Sequence, residues 1–210
     1  MLRENLYQVS CFLQGDTIWK EQEEEENLRH PIIDFEKSTR EKRAFKEFAR
    51  FLKYYLQSKR LHQHGLLLDA YTAAVEAIQH LGQIELLEKQ LWVEEGMWEQ
   101  LQSCNTASHK LFHELSGSSE SLGQRIELAL LAFEFSAITK MAESCTPLLR
   151  VLRGRKEPWS LRELLHKAEF FEVQEELPIV LRKLVYHSFI KQTTARGSSD
   201  TTGFGILYWI

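Results

Sequence analysis

The chain has 210 residues, 43% hydrophobic and 27% charged, with 26 Lys plus Arg against 30 Asp plus Glu and a net charge of −4. That length supports one large domain or two small ones with their own cores, and the apolar fraction excludes an intrinsically disordered chain. Only 10 Gly and 4 Pro exclude collagen-like and low-complexity classes, and the acidic balance excludes a nucleic-acid binder working by bulk charge, leaving only a local basic patch to consider.

The opening segment, residues 6–19, sets short apolar pieces around Gly15-Asp16 and reads as a short helix, a turn and a strand-like piece at residues 17–19. An isolated strand needs neighbours to pair with, so this beginning looks like the tail of a preceding domain, prone to self-association or instability. The acid run over residues 21–26 is either a solvated tether or a helix end.

From Asp34 onward the pattern is helical. Phe45, Phe48, Leu52 and Tyr55 follow a 3-4-3 spacing and share one face. After Gly65, the residues Leu67, Tyr71, Ala74, Ile78 and Leu81 repeat the pattern, and a third helix is predicted beyond Gly82 with Ile84, Leu87 and Leu91 inward. Gly96 closes a loop before Met97-Trp98, and further helices are predicted over 108–115 and 122–141, separated by a turn at 116–119. Residues 28–141 are therefore expected to form an antiparallel helical bundle.

The last third changes character. A helix fits 147–152, Ser160 is a candidate N-cap for the helix that starts at Leu161, and another helix is predicted from Val173 to His187 with Pro178 in its first turns. Two β-prone pieces, 189–191 and 204–210, flank a turn region. Three helices followed by a hairpin is the order of a winged helix, so residues 142–210 are expected to form a winged-helix-like α+β domain, with residues 193–203 as its wing. The fold class is mainly α: a helical bundle followed by that smaller module.

The chemistry-bearing motifs are sparse. The four aspartates, Asp16, Asp34, Asp69 and Asp200, are far apart, so no DxD pair is present to hold magnesium for nucleotidyl transfer. GxxxxGK[ST], GxGxxG, GxSxG and HExxH are also missing. His62 and His64 lack Cys neighbours at zinc spacing and read as surface or cap histidines. Asp69, Glu76 and His80 lie along one side of a helix whose other side carries Tyr71, Ala74 and Ile78. That side is either a solvated face or the polar wall of a substrate cleft with a carboxylate for general-base work.

Residues 36–60 hold nine basic residues against three acidic ones, a face for a phosphate-bearing ligand or RNA, or a solvated face balancing the upstream acid run. Glu172, Glu175 and Glu176 crowd the start of the would-be recognition helix, where acids repel DNA, so a structural or protein-binding winged helix competes with a DNA-binding regulator. Arg60 and His64, at a helix junction, depart from the same-helix Arg–His pair of small helical ribonuclease toxins. The three cysteines, Cys11, Cys104 and Cys145, have no CxxC and fit reduced thiols in a cytoplasm. The polar start lacks a signal-peptide core, and the longest apolar stretch, residues 128–133, is far short of the roughly 20 residues that span a bilayer, so no membrane partner is expected.

One resemblance runs through these segments. Leu68-Asp69-Ala70-Tyr71, Val75, Gln79-His80-Leu81 and the stretch from Glu94 to Gln100 resemble the bacillar nucleotidyltransferase-like protein family, as do Arg125 to Leu131 with Glu134-Phe135 and Glu157 to Leu164. The likeness covers residues 28–192. It implies an N-terminal catalytic-type domain, of which residues 1–27 are a remnant, then a helical substrate-binding-type domain and a winged-helix-type domain. By that resemblance Asp69, Tyr71, Glu76 and His80 are substrate-binding candidates for a nucleotide or small-molecule substrate. Nucleotidyltransferase chemistry and its magnesium would belong to the catalytic-type domain, so this chain alone is expected to bind a substrate or protein partner, with no cofactor and no catalytic residues of its own.

Overall fold

The computed structural model describes residues 22–93, 95–196 and 204–210. The expectations for residues 6–19 and for most of the wing, 197–203, lie outside them. Two compact units are present, residues 1–43 and 44–210. The first helix, α1 (Gln22–Gln63), begins within the acid run rather than at Asp34, so of the two readings of that run the helix end is the one that holds. Glutamates are good helix formers and sit well at the positive N-terminal end of the helix dipole. In the first unit the helix carries an Arg40–Glu36 ion pair of 2.7 Å one turn apart.

In the second unit, residues 44–63 of α1 supply an aromatic spine. Phe45, Phe48, Leu52 and Tyr55 are buried, as the 3-4-3 spacing predicts, and so is Phe51, which meets Phe133 edge-on at 5.8 Å between ring centroids. Gly65, at φ +73°, turns the chain into α2 (Leu67–Glu88). Its inner row of Ala70, Ala73, Ala74 and Ala77 is buried. The two helices are antiparallel: partners move down α2 as one moves up α1, from Glu47 with His80 to the Ser58 hydroxyl, which donates to the Ala70 carbonyl at 2.8 Å.

α2 runs unbroken through Gly82, where the sequence suggests a boundary. The glycine is there for proximity. A Cβ at this position would stand 2.6 Å from Leu101 Cδ1 and 3.3 Å from Ser108 Oγ. Leu91, expected inside a third helix, lies past the end of α2 and is exposed.

Beyond a loop, Gly96 at φ +82° precedes α3 (Met97–Ser103). Thr106 caps α4 (Ala107–Gly117), and Ser121 with Gln124 forms a capping box on α5 (Leu122–Ser144). Glu85 of α2 is buried and accepts hydrogen bonds from the Ser108 backbone N–H at 3.1 Å and hydroxyl at 2.6 Å, tying α2 to the first turn of α4. α5 buries Ile126, Ala129, Phe133, Ala137 and Met141, while Leu128, Leu131, Phe135 and Ile138 form a second, exposed apolar row on its outer side.

The C-terminal part comprises α6 (Thr146–Arg153), β1 (Trp159–Ser160), α7 (Leu161–Leu165), a 3-10 helix (Ala168–Val173), α8 (Leu177–Tyr186), β2 (Lys191–Arg196) and β3 (Phe204–Trp209). Ser160 is the N-cap of α7, in a capping box with Glu163. The helix predicted from Val173 starts only at Leu177, with Pro178 in its first turn. Phe189 and Ile190 are not strand residues, because Ser188, at φ +61°, closes α8 and the Phe189 N–H turns back to the Leu184 carbonyl. The sheet is antiparallel throughout, in the order β1-β3-β2, with Trp159 opposite Tyr208 and Lys191 opposite Trp209. β1, with only two residues, is too short to leave a sequence signal. Trp159 anchors it, with the Arg155 guanidinium 3.7 Å from its ring centroid.

Among the described residues no helix is long and apolar enough to cross a membrane, and Cys104 and Cys145 are free thiols. Burial alone pushes the Cys145 thiol far above its ordinary range.

Candidate functional site

A cleft of about 580 Å³ opens between α1, α2 and residues 171–176, which comprise the end of the 3-10 helix and its link to α8. α1 contributes Arg50, Lys53 and Tyr54; α2 contributes Glu76 and His80; the third wall is Phe171, Glu172, Gln174, Glu175 and Glu176. The first two walls follow from helical spacing. Glu76 and His80 are one turn apart on α2, and Arg50 and Tyr54 are one turn apart on α1.

Behind the surface of the cleft is a buried pair. His80 Nδ1 lies 2.7 Å from Glu47 Oε2, with the two residues 8% and 7% exposed. A carboxylate only accepts, so a neutral His80 donates through Nδ1–H and carries its lone pair on Nε2. Tyr54 stacks on the imidazole at 5.5 Å and 14°, fixing the plane of the ring.

The third wall is fastened to α1 by charge. Lys46 pairs with Glu172, and Lys53 Nζ reaches Glu175 Oε2 at 3.1 Å and Glu176 Oε1 at 2.8 Å. The hydrogen bond to Glu176, then that to Glu175, holds the Lys53 ammonium above its usual value. Glu176 is itself buried, so its charge depends on Lys53 for compensation. These acids, which on a recognition helix would repel DNA, are engaged within the chain. The basic face of α1 is thus balanced partly by residues more than a hundred positions away.

Of the residues singled out in sequence, Glu76 and His80 come together in the cleft. Asp69 is exposed in the first turn of α2, and Tyr71 is half-buried against the core; neither lines the cleft. Glu47, Tyr54, Phe171 and Gln174 carry no site signal in the sequence, and Glu172, Glu175 and Glu176, read there as acids at the start of a recognition helix, instead belong to the third wall. Arg50 and Lys53 were visible only as part of a basic helix. His62 is half-buried and His64 exposed, and among the described residues no group of three or more His, Cys, Asp or Glu is arranged to hold a metal ion.

Residues 41–140 match the model of the YgxA-like substrate binding domain family. The chain is 30% identical over 144 residues to the protein YgxA of Bacillus subtilis (strain 168), an alignment covering 69% of this chain and 49% of that protein. It therefore spans about half the length of this curated relative. Among solved structures, a nucleotidyltransferase-like protein from Exiguobacterium sibiricum 255-15 superposes with a TM-score of 0.77 at 26% identity, over 93% of this chain and 67% of that one.

Proposed function

We propose that this chain belongs with the YgxA-like nucleotidyltransferase-like proteins and supplies their ligand-holding part, and that the cleft between α1, α2 and residues 171–176 is the substrate site. The observation that carries this reading is a coincidence of place. The segment matching a substrate binding domain, residues 41–140, contains two walls of the cleft, including Arg50, Tyr54, Glu76 and His80. On this reading residues 28–141 are the substrate-binding bundle and 142–210 a winged-helix-type module whose role is to complete the cleft. The engagement of Glu172, Glu175 and Glu176 by α1 supports that role over DNA reading. Nucleotide transfer, with its magnesium, is assigned to the catalytic-type part of the whole protein. These residues bind and orient the substrate in the cytoplasm.

The test is amide-shift mapping of the 210-residue chain against nucleoside triphosphates, sugars and small amines at millimolar concentration. Ligand-induced shifts should concentrate at residues 47–54, 76–80 and 171–176, and Tyr54→Ala should weaken them. Shifts that map elsewhere, or that survive Tyr54→Ala and Glu76→Ala unchanged, would overturn the assignment.

A further inference from the structure

We propose a second site, outside the residues that line the cleft: His109 and His113 of α4 form a two-imidazole chelate for a divalent transition-metal ion, nickel or copper. The two residues are one helical turn apart, the spacing that brings side chains together on one face. Their rings meet at 4.7 Å between centroids, at 72° to each other. His113 is exposed and His109 half-buried, so packing gains little from the contact. Neither ring has a hydrogen bond or ion pair among the described residues. Other histidines are placed differently. His80 is held by Glu47, His166 Nδ1 by the Arg162 carbonyl, and His187 lies against Tyr186. His62 and His64, two positions apart, do not share a helical face.

The separation of the rings selects the class of ion. With a metal–nitrogen bond of about 2.1 Å and the ring centre about 1.2 Å behind the nitrogen, two imidazoles on one ion stand about 4.7 Å apart at a 90° angle and about 5.4 Å at the tetrahedral angle. The observed 4.7 Å matches the right angle, which tetragonal and octahedral centres use and tetrahedral zinc does not. Imidazole nitrogen also suits nickel and copper, whereas magnesium takes oxygen ligands. The charged neighbours Lys110 and Glu114 are of opposite sign, so the ion is held by nitrogen donors and not by an acidic field. Water fills the remaining positions, which fits a pair of ligands standing apart from any group of three or more among the described residues. The chelate closes only when residues 109–113 are helical, so a bound ion stabilises α4.

The test titrates Ni(II), Zn(II) and Mg(II) separately into the 210-residue chain and follows its amide spectrum, in which paramagnetic Ni(II) broadens the signals nearest to it. Broadening should centre on residues 106–117 with one ion bound there, Zn(II) should bind this helix more weakly, and Mg(II) should leave its signals in place. Either His109→Gln or His113→Gln alone should weaken Ni(II) at α4 by about ten-fold or more, with the metal-free spectrum unchanged outside α4. His113 is exposed, so its variant reports on metal binding without disturbing the core. Two Ni(II) ions at α4, or a single variant that keeps the parent affinity, would mean separate imidazoles and overturn the chelate. No broadening, broadening centred on residues 62–64 or elsewhere, or Mg(II) shifts as large at α4 would overturn the site.

Discussion

His80 Nδ1 and Glu47 Oε2 meet at 2.7 Å across α1 and α2, in a place where both side chains are almost fully withdrawn from water. The pair is thus both a structural rivet between the helices and the rear support of the cleft. Tyr54, stacked on the same imidazole, leaves the ring little rotational freedom.

Breaking this pair should be felt in stability. Glu47→Ala leaves a buried imidazole N–H without an acceptor and should cost about 1–3 kcal/mol, the penalty of an orphaned buried polar group. Glu47→Gln, which keeps an acceptor oxygen, should cost less. Urea unfolding at neutral pH decides it: equal losses for both variants would mean that packing, and not the hydrogen bond, joins the helices here.

Gly82→Ala pits two effects against each other. In a helix interior alanine is favoured over glycine by about 1 kcal/mol. Here the new methyl would enter the space of the fully buried Leu101. Overpacking of a dense core costs about 1–3 kcal/mol, so the substitution should destabilise on balance. Combining Gly82→Ala with Leu101→Val should recover part of the loss in a double-mutant cycle, and strict additivity would refute the steric account.

The Ser160–Glu163 capping box should show in the acid range. The Ser160 backbone N–H, helped by the Ser160 hydroxyl and Arg155, holds the Glu163 carboxyl below its ordinary value. A depressed carboxylate contributes stability that is present above its unfolded-state value and lost as pH falls through the lower folded-state value. The stability difference between the natural chain and Glu163→Gln should therefore shrink as pH is lowered from about 6 to about 3. A difference that stays constant over that span would show that the ionised form is not the one the cap uses.

Much of the bundle is legible in sequence because periodicity reports burial directly. Phe45, Phe48, Leu52 and Tyr55 needed only their spacing to be placed in the core. Gly82 misleads because a glycine is read locally as punctuation, while its cause is Leu101, nineteen residues on and in another helix. The cleft divides the same way. Glu76 and His80 share a helical face and were found together. Asp69 continues that stripe numerically but lies at the exposed start of α2, and Tyr71 turns toward the core. Glu47 is 33 residues from its partner, and the acids of the third wall are more than 120 residues from Lys53. No local pattern announces pairings at such separations.

The cleft also bears on where this protein can be cut. The span shared with the substrate binding domain family stops at residue 140, within α5, yet Phe171, Glu172, Gln174, Glu175 and Glu176 stand thirty residues past that limit. A fragment trimmed to the matched span would keep Glu76 and His80 but become an open trough, with Lys46 and Lys53 stripped of their counter-charges and a helix severed before its natural end. The span matched by the family model is here smaller than the span whose residues line the cleft.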